Sequence, residues 1–405
     1  MYKTREEFIE ALGVTEMPAL FGARFEETMA EYEKNGVFYL QDAFLDELQS
    51  TYRIYRQKYD YVKAAAKRVR ENEFLAQYSL LLYHMQLDNN HNGEIYLKKF
   101  PCSEAVAPAD LEMAGHFSQL AFAEDVAAYH RAHGVPEDII VDTLNDLYEE
   151  AILVCNDCLG RDGAHPRCFG WGQIYMNYRI LRVGVLNFEL RDHFTSAVTV
   201  FENGKKERIA LANGKDIATN GQIAGSAGCE ETLFHAAVTE TDEYYEGYAA
   251  DPANAVYAST PVRLPKKEWH VALQREDGIL NVHIPSHVAL TPENADAAYA
   301  RAWEVLPKCY PAYGAKVFTC FSWLLDPQLK QFLKPTSNLV AFQNKYHRFA
   351  MKSGGTDVYS FLFKKPVEKN EELCEDTSLQ RAVKAHYLDG KYIYAQGGVF
   401  FPEEK

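Results

Sequence analysis

The periodicity of this chain changes once, near GAHPRCFGWG at residues 163–172. Before that point the apolar residues of TREEFIEAL, ARFEETMAEYEKNG, AFLDELQSTYRIYRQKY and EFLAQYSLLLYHMQL recur three and four apart, the spacing of one helix face. Asn35-Gly36 closes the second of these with a glycine suited to a left-handed cap. Asp110–Gly134 and Pro136–Gly160 predict two more helices, the latter opened by proline and two acids. A chain that starts this way must bury helix faces against each other, and the half before residue 165 carries no catalytic motif.

After the change, QIYMNYRILRVGVLNFELR and SAVTVFENGKKERIAL are rich in β-branched and aromatic residues. Asn203-Gly204, Asn213-Gly214 and Asn220-Gly221 are hairpin-turn signals. Residues 172–238 therefore predict an antiparallel meander, with a polar, partly mobile stretch near GQIAGSAGCEE. From Leu280 strands and helices alternate: strand Leu280–Pro285, helix Pro292–Leu306, strand Lys316–Leu324, helix from Pro327 to Lys334, strand Thr356–Lys364, then the helix SLQRAVKAHYLDG and a short strand in GGVFF. The expectation is an α+β protein: a helical domain over 1–165, then a mixed sheet flanked by helices over 166–405.

Charge narrows the partners. With 42 basic and 57 acidic residues the formal net charge is −15, which repels phosphate backbones and anionic membrane surfaces, so neither nucleic acid nor membrane is expected as a partner. MYKTREEFIEALGV has no apolar h-region, and no stretch approaches the about 18 apolar residues of a membrane span. A cytoplasmic setting with reduced cysteines is expected. The segment CNDCLGRDGAHPRC holds three thiols and an imidazole, Cys155, Cys158, His165 and Cys168. That is a zinc-ligand set, but Cys155 and Cys158 also fall at apolar positions of an amphipathic helix. The helical reading is preferred and no structural zinc is expected.

The segment HIPSHVALTPENA gathers the chemistry. His283 shares a strand face with Asn281, and Pro285 cannot extend the ladder, so the strand must stop or splay there. Thr291-Pro292-Glu293 then starts a helix, whose free N–H groups suit an anion. An unperturbed imidazole changes charge near about pH 6.5, which suits a general base; a buried histidine bonded to a carbonyl fits the same position. In KVFTCFSWLLDPQL, Thr319, Cys320 and Ser322 are small and polar beside Trp323, and Asp326 is expected to cap the next helix, which Pro327 opens. Ser337 and Asn338 stand at a further helix start.

RILRVGVLNFEL, LNVHIP, FTCFSWLLDPQL and PTSNLVAFQNKY, in that order, resemble a bacterial acyltransferase family. Its members join a helical N-acyltransferase N-terminal domain to a GNAT-like C-terminal domain. The resemblance implies that the strands ending at His283 and Ser322 part, and that acyl-coenzyme A enters the gap as a co-substrate, not as a permanently bound cofactor. It further implies a small-molecule amine as acceptor. The implied catalytic residues are His283 as base, Ser322 as donor to the leaving thiolate, and Glu189 as a further candidate. Ile284, Ser286, Thr291 and Asn338 are the implied coenzyme-binding residues. Arg182 and Trp323 would line the acceptor pocket, although Arg182 and Glu189 equally suit paired charges on a solvated face. SHVALTPEN lacks the glycines usual in the pyrophosphate loop of that fold. A non-catalytic GNAT-like module that binds a small metabolite is therefore the alternative.

Overall fold

The computed structural model describes residues 4–13, 19–88, 107–195, 198–364 and 367–402. The chain divides into two compact units, Met1–Val183 and Gly184–Lys405.

The first unit holds helices α1 (Arg5–Leu12), α2 (Ala19–Asn35), α3 (Asp42–Tyr52), α4 (Tyr59–Glu71), α5 (Glu73–Asp88), α6 (Pro108–Leu120), α7 (Ala123–Ala132), α8 (Glu137–Leu159) and α9 (Pro166–Met176), then strand β1 (Ile180–Val183). Gly36 ends α2 at φ +63°, the left-handed conformation its lack of Cβ permits. One expected helix stops early and another is broken in two: AFLDELQSTYRIYRQKY stays helical only as far as Tyr52, and α4 starts at its last residue. Between α3 and α4, Arg53 and Tyr55 take positive φ, which buries Tyr55 and sets its hydroxyl 2.5 Å from His116 Nε2. A turn at Ala121-Phe122, with φ negative at both residues, separates α6 from α7.

QIYM, expected to open a strand, instead completes α9. Phe169, Gly172, Gln173 and Met176 are buried at helical spacing, and a Cβ on Gly172 would meet Gln119 Oε1 of α6 at 2.5 Å. Close helix packing has overridden strand propensity here. The division of the chain consequently falls at Val183/Gly184, downstream of the 165/166 boundary expected from the change in period.

The second unit starts with strands β2 (Leu186–Arg191), β3 (Val198–Asn203), β4 (Arg208–Ala212), β5 (Lys215–Ala218), β6 (Thr232–Ala236), β7 (Thr239–Glu240), β8 (Tyr244–Gly247), β9 (Ala250–Asp251), β10 (Val256–Tyr257), β11 (Val262–Pro265), β12 (Trp269–Leu273) and β13 (Gly278–His283). Then come α10 (Pro292–Cys309), β14 (Ala315–Ser322), α11 (Asn338–Gln343), β15 (His347–Ala350), α12 (Asp357–Phe361), α13 (Ser378–Leu388) and β16 (Gln396–Phe400). Asn203-Gly204 does form the β3–β4 hairpin, whereas Asn213-Gly214 only links β4 to β5, which pairs with β6. The stretch near GQIAGSAGCEE is knit into place: Ser226 bridges Cys229, and Ala227 N–H donates to the Ser353 carbonyl at 2.9 Å.

The second unit's strands in the main sheet run β2-β13-β14-β16-β15. All neighbours are antiparallel except β13 and β14, which α10 joins in parallel. One face packs the rings of Phe188, Phe318 and Phe400 against Tyr299 of α10, with Trp303 on Phe318. The other face sets Ile279, Val317, Phe349 and Val399 against Val198, Val200 and Ala210 of the β3–β4 hairpin. Thr356–Lys364, expected to be a strand, contains α12 instead, with Val358 and Phe363 buried in a core shared with Trp323, Val383 and Tyr387. The helix expected from Pro327 to Lys334 is a 3-10 turn, Pro327–Gln331.

Candidate active site

β13 is paired unequally on its two sides. With β2 it stays in register from Ile279↔Arg191 to His283↔Asn187. With β14 the ladder stops at Asn281↔Thr319, although β14 continues to Ser322 and stays bonded to β16 through Ser322↔Gln396. The two parallel strands therefore part over their last residues, as Pro285 foretold.

A chain of polar groups leads to that opening across one face of the sheet. Thr319 Oγ1 donates to Asn281 Oδ1 at 3.0 Å. Asn281 Nδ2 donates to Glu189 Oε2 at 3.2 Å, and Arg191 Nη2 reaches the same oxygen at 2.8 Å. His283 Nε2 completes the set at 2.8 Å from that oxygen, and at 3.0 Å from Asn281 Nδ2. Thr319 and Asn281 are buried. The Glu189 side chain is 8 % exposed, that of His283 26 % and that of Arg191 28 %, so this buried chain meets solvent at the imidazole and at the guanidinium.

Burial alone raises the Glu189 carboxyl. The hydrogen bonds from His283 and Arg191, and their charges, outweigh it and hold the group at about 2. A carboxylate held that low is a poor proton acceptor near neutral pH. It is well suited to fixing an imidazole: with the ring N–H at Nε2 directed to Glu189, the basic lone pair lies on Nδ1.

The other expected residues are placed as follows. Ile284 and Ser286 follow β13, with Ser286 exposed and His287 at φ +58°. Thr291 Oγ1 accepts from Asn294 N–H at 3.2 Å and so caps α10. Ser322 Oγ accepts from Leu324 N–H at 3.1 Å. Asn338 is exposed at the start of α11. Trp323 is buried in the core with Leu329 and Val358. Arg182, in the first unit, is bonded to Asp146 at 2.7 Å with both side chains mostly buried. In that unit Cys155 lies buried on α8, burial and the Glu112 charge pushing its thiol up to about 11. The Thr319–Asn281–Glu189 chain was not foreseen. Its members were visible as polar residues in apolar strands, but only strand register brings them together.

Comparison with known proteins agrees with this architecture. Residues 180–400 match the GNAT-like C-terminal domain, and residues 43–173 match the N-acyltransferase N-terminal domain. No curated protein matches the chain by sequence. Among solved structures, an acyltransferase in complex with CoA and 10C-teicoplanin is similar, with a TM-score of 0.61 at 18% identity over 98% of both chains. The same values hold for an acyltransferase in complex with decanoyl-CoA and teicoplanin. One in complex with decanoyl-CoA alone also gives 0.61 and 18%, over 98% of this chain and 99% of that one.

Proposed function

This chain belongs to the family of the GNAT-like C-terminal domain, here joined to an N-acyltransferase N-terminal domain, and is an acyltransferase of GNAT-like type; from that premise we propose that it moves an acyl group from acyl-coenzyme A to an amine at the mouth of the β13–β14 gap. The observation that carries the reading is the coincidence of two features at one strand end. The β13–β14 ladder stops at Asn281↔Thr319, and two residues on stands an imidazole fixed to a buried carboxylate.

His283 takes the proton of the attacking amine. Glu189 is a positioning residue that fixes the ring and offsets the charge of the imidazolium. The amine nitrogen attacks the thioester carbonyl, the N–C bond forms, the C–S bond breaks, and the thiolate leaves as the free thiol once protonated. Ser322 relays that proton: its oxygen accepts from Leu324 N–H, its O–H passes a proton to the thiolate as the oxygen takes one from solvent, and His283 later returns the amine's proton to solvent. Backbone N–H groups beyond Asn281 and Thr319 are released from the ladder between the two strands, and suit the oxyanion and the amide groups of the donor. Ile284, Ser286 and Thr291, with the α10 N-terminus, form the anion-facing side, and Asn338 remains a candidate there.

One observation favours a second reading. The loop from Ser286 to Asn294 contains no glycine, so close backbone approach to a pyrophosphate is less easy, as in a module that binds a metabolite without turnover. His283→Gln separates the two. Under the first reading acyl transfer falls by roughly 10²–10⁴ while the fold is kept, because a Gln amide can still donate to Glu189 in place of the ring. A destabilised but fully active variant would remove His283 from the mechanism. No turnover in the wild type, with tight ligand binding, would establish the second reading.

A further inference from the structure

Beyond Ser322 the chain leaves the sheet through two 3-10 turns, Trp323–Leu325 and Pro327–Gln331. The second of these forms part of the wall of a cavity of about 450 Å³, within the range of about 300–1,000 Å³ typical of small-molecule sites. None of the residues assigned to acyl transfer lines it.

Carboxamides are the commonest polar groups on its wall. They come from separate segments: Asn220, Gln222, Asn254, Gln328 and Gln331. The Asp326 carboxyl is fixed among them by Tyr394 N–H at 2.6 Å, Gln328 N–H at 2.9 Å and Gln328 Nε2 at 3.1 Å. Two aromatic side chains, Tyr392 and Tyr394, complete it. Among the described residues Lys391 is the one cation on this wall, and the chain is strongly acidic, so an anion is disfavoured. So little aliphatic surface, chiefly Val256 and Pro327, disfavours an apolar ligand.

A carboxamide offers donors and an acceptor in one plane, and a hydroxyl likewise donates and accepts. A wall of such groups beside aromatic faces matches a ring that carries many hydroxyls on its edge and C–H groups on its faces. A second observation points the same way. Gln222 is 5 % exposed, and its bonds to Gln396 Nε2 and to the Ala255 carbonyl are both long, at 3.4 Å. Gln396, bonded to it, is fully buried, and its Oε1 has no partner among the described residues. Buried amides are seldom left so under-bonded, and here the slack lies beside a cavity.

We propose that this cavity is a binding site for a neutral saccharide. Asn254 and Gln331, both exposed on its wall, bond ring hydroxyls, and Tyr392 lies under the C–H face. The inference does not depend on the acyl-transfer reading, since it concerns different residues and is read by binding alone.

The test is titration calorimetry of the full chain with a panel of neutral mono- and disaccharides, up to about 10 mM. At least one sugar is expected to bind. Gln331→Ala and Asn254→Ala should each weaken it by roughly 2- to 12-fold, the worth of one neutral hydrogen bond; the melting temperature of Gln331→Ala should be unchanged, whereas Asn254→Ala also loses its exposed bond to Asp251. Asn254→Trp, which fills the mouth, should abolish binding. No binding by any sugar would overturn the proposal, as would binding that all three variants leave intact. Competition by inorganic phosphate would overturn it too, by showing an anion site.

Discussion

Glu189 collects His283, Asn281 and Arg191 on a single carboxylate oxygen, which ties the sheet's stability to the orientation of its imidazole. Its folded carboxyl lies at about 2 against an ordinary 4.5. A carboxyl depressed on folding stabilises the fold fully above its unfolded value and loses that contribution as pH falls towards the folded one. The window is therefore from about 4.5 down to about 2, and the contribution at neutral pH is about 3 kcal/mol. Glu189→Gln should lower stability at pH 7 by about that amount. The gap between the two proteins should close as pH falls through the window. Denaturant melts of both proteins across pH would show this; a gap that stayed constant below pH 4.5 would mean that lost packing, not lost charge, set the cost. At this scale the sequence was informative where chemistry is local. Pro285 after His283 marked the strand end, and Thr291-Pro292 marked the cap. Glu189 was a weaker reading, as a base, because its partners come from β13, whose register against β2 is not encoded by any one segment.

β13 shows what limits legibility at the scale of the element. The strand itself, its stop and the helix after it were plain from composition and turn chemistry. Its unequal pairing was not, because a ladder is a property of two segments. The errors lie where tertiary burial beats local preference. α12 comes from TDVYSFLFKK, whose aromatic and β-branched residues favour a strand, but burial of Val358 and Phe363 against α13 makes it helical. α9 yields to packing on α6 in the same way. Gly278, the first residue of β13, carries an element-scale prediction. Its φ needs no glycine, yet a Cβ there would stand 1.6 Å from the Tyr313 carbonyl oxygen. That atom is backbone and cannot swing aside, and the β13–β14 register already shifts between Gly278 and Ile279. Gly278→Ala should cost at least about 1–3 kcal/mol, the usual range for overpacking. A melting temperature equal to wild type would show that the Pro311–Tyr313 turn moves freely, and that the strand start is not locked by it.

For the whole molecule, the two-part order of helices then sheet was legible because a period of about 3.6 and a period of 2 leave different traces in sequence. The cavity beside Asp326 was not, because its wall is assembled from segments more than a hundred residues apart. Whole-molecule charge sets the last prediction. A net charge of −15 repels the phosphates of a coenzyme at long range, so under the proposed function an acyl-coenzyme A would be held by local groups: released strand N–H groups, the α10 N-terminus, and burial of the acyl chain. The first two are common to every acyl-coenzyme A, and the third grows with chain length by about 0.8 kcal/mol per buried CH₂. A ligand at about 100 times its dissociation constant adds roughly 2.7 kcal/mol to the stability of the fold that binds it. Thermal melts with acetyl-, octanoyl- and decanoyl-coenzyme A should therefore all rise, with the increment growing along the series until the gap is filled. Free coenzyme A should stabilise least, since it lacks the acyl group. If none of the three shifts the melt at millimolar concentration, acyl-coenzyme A is not the donor, and the glycine-free loop after β13 then reads as the mark of a site that takes another ligand.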